Sequence, residues 1–169
     1  IGYIPAWRSF FVKDDLVLIY SARLDPSVLH HSWPGGFFRP SAEVLFALQA
    51  LLFDLNPSPY HLVSFCAHLA AVWFTYRLAG LWTSNAPVRF AAAALFALHP
   101  LHTETVAWIS GQMSLLCSLS TLATLYALGT GRRVIALAVF VLGLGFYESS
   151  LLVFPLWAAL AWHRLQFRT

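Results

Sequence analysis

The 169 residues are 59% hydrophobic, 16% aromatic and only 10% charged, with a mean hydropathy of +0.69. Soluble domains carry about 25% charged residues, so this composition excludes an ordinary soluble domain and reads as an all-α, polytopic helical membrane protein. The formal net charge of +3 is too small to mark a nucleic-acid partner; in such a chain it marks loops that touch membrane lipids at their headgroups.

The chain opens on Ile1 in a polar, aromatic stretch rather than an apolar span, and is expected to be an N-terminal membrane fragment of a longer protein. Residues 1–59 carry the turn signals "LDPS", "WPGG", "RPS" and "NPSP" and read as one large loop outside the bilayer. Within it "FVKDDLVLIYSA" predicts a short interfacial helix. A second, "AEVLFALQALLFDL", is too short to span; it starts near Pro40 and Ser41 and stops before Asn56 and Pro57. Residues 60–169 then read as a bundle of four to five transmembrane helices, at 60–82, 88–98, 103–128, 134–147 and 150–162. A straight crossing takes about 20 residues, so the second and fourth spans are short, which suits a cavity at one membrane face. Cys66 and Cys117 lie in apolar segments and read as buried thiols.

Charge divides the loops into two sets. One side collects Arg77, Arg89, Arg132, Arg133, Arg164 and Arg168 and no acid. The other holds all seven acids: Asp14, Asp15, Asp25, Glu43, Asp54, Glu104 and Glu148. The positive-inside rule makes the arginine side cytoplasmic, and the acids then face the periplasm, lumen or exterior.

The candidate site residues lie on the acid side. Asp14 and Asp15 are adjacent, so on a helix they diverge by about 100° and do not share one pocket equally; one of them capping a helix explains the pair as well as a site does. In "HPLHTETVAWISGQ", Pro100 ends one helix and Thr103 is a suitable N-cap for the next, with Glu104 in its first turn. His99, His102 and Glu104 straddle that break, so a shared metal does not follow from spacing. Arg39, just before the second interfacial helix, has the planar donor fork that suits a phosphate, or snorkels to a headgroup. His61 opens the first span and Glu148 lies between the last two. His68 and Arg77, inside the first span, are expected to face protein or the cytoplasmic boundary.

Three blocks in order, "FVKDDLVLI", "FFRPSAEVLFALQALLFDLNPSPYHLVSF" and "ALFALHPLHTETVAWISGQMSLLCSLSTLATLYAL", resemble the membrane region of C-superfamily (GT-C) glycosyltransferases. Within these the chain is most similar to the transmembrane and tetratricopeptide-repeat O-mannosyltransferase group and its bacterial relatives. The resemblance covers about residues 10–162 and implies a multi-pass enzyme of the bacterial inner membrane, or of the ER membrane in a eukaryote. It implies transfer of a sugar from a polyprenyl-phosphate donor to an acceptor hydroxyl at the external face, usually with inversion. The acid of the first external loop, here Asp14 or Asp15, serves as base or acceptor-binding group, and Glu104 matches a second acid. Arg39, a histidine (His61, His99 or His102) or a divalent cation, Mg or Mn, is left to stabilise the departing phosphate. "RPS" departs from the family's "RPL", and "YES" stands in place of a Lys-Glu pair, which touches Glu148 as a donor contact. The alternative reading is a non-catalytic membrane subunit of GT-C-like fold packed into a larger membrane complex. A transporter fits less well, because its acids sit near the bilayer midplane.

Overall fold

The computed structural model describes residues 10–12, 15–24 and 38–166. Among these residues the chain is all-α: α1 (Asp15–Leu24), α2 (Pro40–Phe53), α3 (Pro57–Ala79), α4 (Ala86–Leu98), α5 (His102–Ala107), α6 (Gln112–Gly129), α7 (Arg133–Leu144), a 3-10 helix (Glu148–Leu152) and α8 (Val153–Gln166). α3 and α6 are long and apolar enough to cross a membrane; α2, α4, α7 and the segment Glu148–Trp162 are apolar but shorter.

Turn chemistry sets the boundaries. Asn56 caps α3 by accepting from the Ser58 amide at 3.2 Å, with proline in the first turn, where its missing N–H costs nothing. Asn85 and Pro87 open α4 the same way, Asn85 accepting from the Val88 amide. Asp54 has φ 51, the left-handed region that turns α2 sharply into α3. α4 stops at His99, which is extended, as a residue before proline must be.

α3 and α6 run parallel. At one end the Gln112 side chain donates to the Tyr60 carbonyl at 2.8 Å, and at the other Arg77 donates to the Tyr126 hydroxyl. α4 and α7 return between these ends but are only 13 and 12 residues long, about 20 and 18 Å against about 35 Å for α3. α4 therefore ends beside His68, whose Nε2 lies 3.3 Å from the Ala97 carbonyl, about 12 Å short of the level of Tyr60. α7 ends near Cys117, which contacts the Tyr147 carbonyl and the Ser149 and Ser150 hydroxyls. Two short helices thus stop short of the end where α3 and α6 begin.

α1 and α2 lie over that end. The first turn of α2 meets the last turn of α7: the Ser41 and Ala42 amides donate to the Gly145 carbonyl at 3.1 and 3.3 Å, and the Ser41 hydroxyl to the Leu142 carbonyl at 2.9 Å. Orphan donors of one helix thus meet orphan acceptors of another. A Cβ on Gly145 would overlap the Ser41 hydroxyl and lie 2.9 Å from Ser41 Cβ, so only glycine allows the approach. Further along α2, Gln49 reaches Gln112 at 2.9 Å. The core beneath joins Phe11, Leu18, Ile19, Phe46, Tyr60, Ile109, Met113 and Phe146.

Three sequence expectations are corrected. The span at 103–128 is two helices, broken at Trp108, which is extended, and at Gly111, where a Cβ would sit 2.9 Å from the Trp108 carbonyl oxygen. Thr103 does not cap α5: turns from His99 and Pro100 start the helix at His102, with Leu101 ahead of it and no side-chain cap. Cys66 is exposed while Cys117 is buried, because Cys66 shares the outward stripe of α3 with Leu62, Phe65, Leu69 and Trp73.

Candidate functional site

The turn between α5 and α6 is the hub of the acid-bearing end. Ser110 and Gln112, both buried, flank Gly111. Asp15, only 1% exposed, accepts from the Ser110 amide at 2.8 Å and from the Ser110 hydroxyl through Oδ1. Its Oδ2 accepts from the Val12 amide at 3.0 Å, just ahead of α1. Gln112 joins Gln49 of α2 to the Tyr60 carbonyl of α3. This turn and the first residue of α6 therefore fix α1, α2 and α3 against α6.

The candidate residues divide accordingly. Asp14 lies outside the described residues. Asp15 does not open into a cavity shared with Glu104; its oxygens are taken up by Ser110 and Val12. Glu104 is exposed in the first turn of α5. His61 is buried in the second turn of α3.

Arg39 and Glu148 are brought together. The buried guanidinium of Arg39 lies 4.0 Å over the Tyr147 ring and donates to the Glu148 carboxylate at 3.3 Å. Glu148 itself is 54% exposed. A hydrogen bond from its own backbone amide is the largest effect and holds its carboxyl below the usual carboxylate range; burial opposes this, and the Arg39 charge and hydrogen bond add smaller lowering effects. Beside this pair an open groove of about 440 Å³ runs between Phe38, Pro40 and Ser41 on one side and Val141, Leu142 and Leu144 on the other.

His99 and His102 also meet, and sequence reasoning left their third neighbour aside: the ring of His102 lies 6.0 Å from His99, 5.4 Å from His68 and 4.4 Å from Phe96. Desolvation first, then the nearby His68 and His99, lower the pKa of His102 below the ordinary histidine value. Among the described residues no three His, Cys, Asp or Glu side chains are arranged to hold a metal ion. Ser110 was the site residue missed; its only signal was its place in "WISGQ", inside the most specific block of the resemblance.

The chain is 32% identical over 147 residues to human protein O-mannosyl-transferase TMTC3, covering 73% of this chain and 16% of that protein. The chain is a relative of the TMTC O-mannosyltransferases. Protein O-mannosyl-transferase Tmtc1 of Drosophila melanogaster is 37% identical over 86 residues, 51% of this chain and 9% of its own length. F38B6.6 of Caenorhabditis elegans, a protein O-mannosyl-transferase, is 32% identical over 117 residues, 67% of this chain and 17% of its own. The chain thus spans less than a fifth of the length of these relatives. No family model and no solved structure matches it.

Proposed function

We propose that this chain forms the donor- and acceptor-facing end of a multi-pass membrane glycosyltransferase that moves a mannosyl group from a polyprenyl-phosphate donor to a protein hydroxyl. The observation that carries this reading is the similarity, over as many as 147 residues, to a protein named as an O-mannosyl-transferase. The geometry supports it: Arg39, Glu148, Glu104, the histidines and the Asp15 clamp all belong to the end where α4 and α7 stop short, the end assigned to the external face by charge.

In this proposal α3 and α6 cross the bilayer, the shorter α4, α7 and α8 lie within it beside them without reaching its full depth, and α1 and α2 lie in its outer interface. Asp15 holds the start of α1, and Asp14, its neighbour, is the base. It takes the acceptor hydroxyl proton as that oxygen attacks the anomeric carbon. The carbon–oxygen bond to phosphate breaks, and polyprenyl phosphate leaves with the electron pair. Arg39 stabilises the charge gathering on that phosphate, which exchanges with Glu148 for the guanidinium. The isoprenoid chain lies in the apolar groove beside Ser41 and Leu142.

The engagement of both Asp15 oxygens favours the second reading, a non-catalytic subunit, unless Asp14 works alone. The test is mannose transfer from a polyprenyl-phosphate donor by the protein as its gene encodes it. Asp14→Asn is expected to lower the rate about 10²–10⁴-fold, the usual contribution of a general base. Transfer retained in Asp14→Asn, Asp15→Asn and the double variant would sink the assignment.

A further inference from the structure

The opposite end of the bundle carries a second surface, which the catalytic proposal does not use. It is formed by the last turn of α3, the link to α4, the first turn of α4 and the turn between α6 and α7. Four arginines sit there: Arg77, Arg89, Arg132 and Arg133. The described acids, Asp15, Glu43, Asp54, Glu104 and Glu148, all belong to other segments.

Two of these guanidiniums are held in place by rings. Arg77 lies 5.1 Å from the Trp73 ring and 5.0 Å from the Tyr126 ring, and donates to the Tyr126 hydroxyl. Arg89 lies 4.1 Å over the Tyr76 ring and against Gly80, where a Cβ would meet its guanidinium at 3.0 Å; the glycine leaves it room. Arg132 and Arg133 are exposed in the next turn. Rings that fix a guanidinium reduce the ordering it must undergo when it meets an anion.

What meets this end is decided by its surroundings. Just inside the arginines the helices expose Trp73, Val88, Phe90, Val134, Ile135 and Leu137. An aqueous polyanion would leave that apolar belt in water. A bilayer covers it with acyl chains and sets its headgroup phosphates at the height of the arginines, where tryptophan and tyrosine also prefer to lie.

We propose that this end binds the headgroup phosphates of anionic phospholipids, and that Arg77, Arg89, Arg132 and Arg133 select them over zwitterionic lipids. The proposal rests on the membrane-spanning part of the reading above, not on its chemistry. The test uses the whole protein in vesicles of brominated phosphatidylglycerol or brominated phosphatidylcholine. Quenching of tryptophan fluorescence gives the relative affinity for each lipid. Phosphatidylglycerol is expected to be favoured at low salt. The preference should fall in Arg132→Gln/Arg133→Gln, an exposed turn whose change leaves helix content intact by circular dichroism, by up to about fivefold per arginine. Adding Arg77→Gln should lower it again. Equal quenching by the two lipids, or a preference unchanged in the double variant, overturns the proposal. Mannose transfer measured in the same vesicles keeps the two ideas separate. Transfer without lipid preference contradicts this inference alone, and preference without transfer contradicts only the catalytic one.

Discussion

Asp15 accepts three hydrogen bonds where α1 meets the α5–α6 turn, and Ser110 supplies two of them. Ser110→Ala removes the hydroxyl and keeps the backbone amide, so the fold should persist with about 1.5–3 kcal/mol less stability, read by thermal unfolding of the purified protein. A loss below about 0.5 kcal/mol would mean that the hydroxyl bond does not hold the junction. The aspartate pair was visible in the sequence as carboxylates in an apolar run. That Asp15 turns inward was not, because its partner Ser110 lies 95 residues away. Arg39 was legible as a candidate phosphate ligand, but its pairing with Glu148, 109 residues off, was not. His102 gives a prediction in pH. Its folded pKa lies below the ordinary histidine value of 6.5, so the unfolded chain binds more protons between the two values. Its contribution to stability is complete above about pH 6.5 and is lost as pH falls through the folded value. A histidine NMR titration should show His102 titrating below 6.5, and His102→Gln should flatten the fall in stability on that acid limb. A midpoint at or above 6.5 would contradict the desolvated cluster.

At the scale of elements, periodicity and turn signals located most helices because the punctuation is local: Asn56-Pro57, Asn85 to Pro87 and Pro100 each act within one turn. The break inside residues 103–128 escaped, since an isolated glycine in an apolar helical pattern is often tolerated. The turn leaves no room for a Cβ at Gly111 because the Trp108 and Thr105 carbonyls close on it, and only the folded turn brings them there. The α2–α7 junction was equally invisible, although it depends on one small residue. Gly145→Ala would push a methyl group into Ser41 and should cost about 1–3 kcal/mol, the range for overpacking. Thermal unfolding checks it, with Gly131→Ala, where nothing lies within 4 Å of the added atom but φ is +78, marking the cost of backbone strain without a clash. Equal stability of Gly145→Ala and the parent would remove the close contact from the account.

For the whole molecule, composition announced an all-α chain suited to lipid, and the segregation of arginine from acid sorted the loops before any contact was known. The two short helices, which stop short at one end, were also legible by length. What converges there was not, because it depends on how far α4 and α7 fall short of α3 and α6 and on which turns then meet. The central claim is a sugar transfer that takes place at this end and on the outer face. Sealed vesicles holding the protein in known orientation, with acceptor peptide confined to one side at a time, test it directly. The account predicts mannosylated peptide only when the acceptor faces the acid-bearing end; product on the arginine side, or on neither, would contradict it.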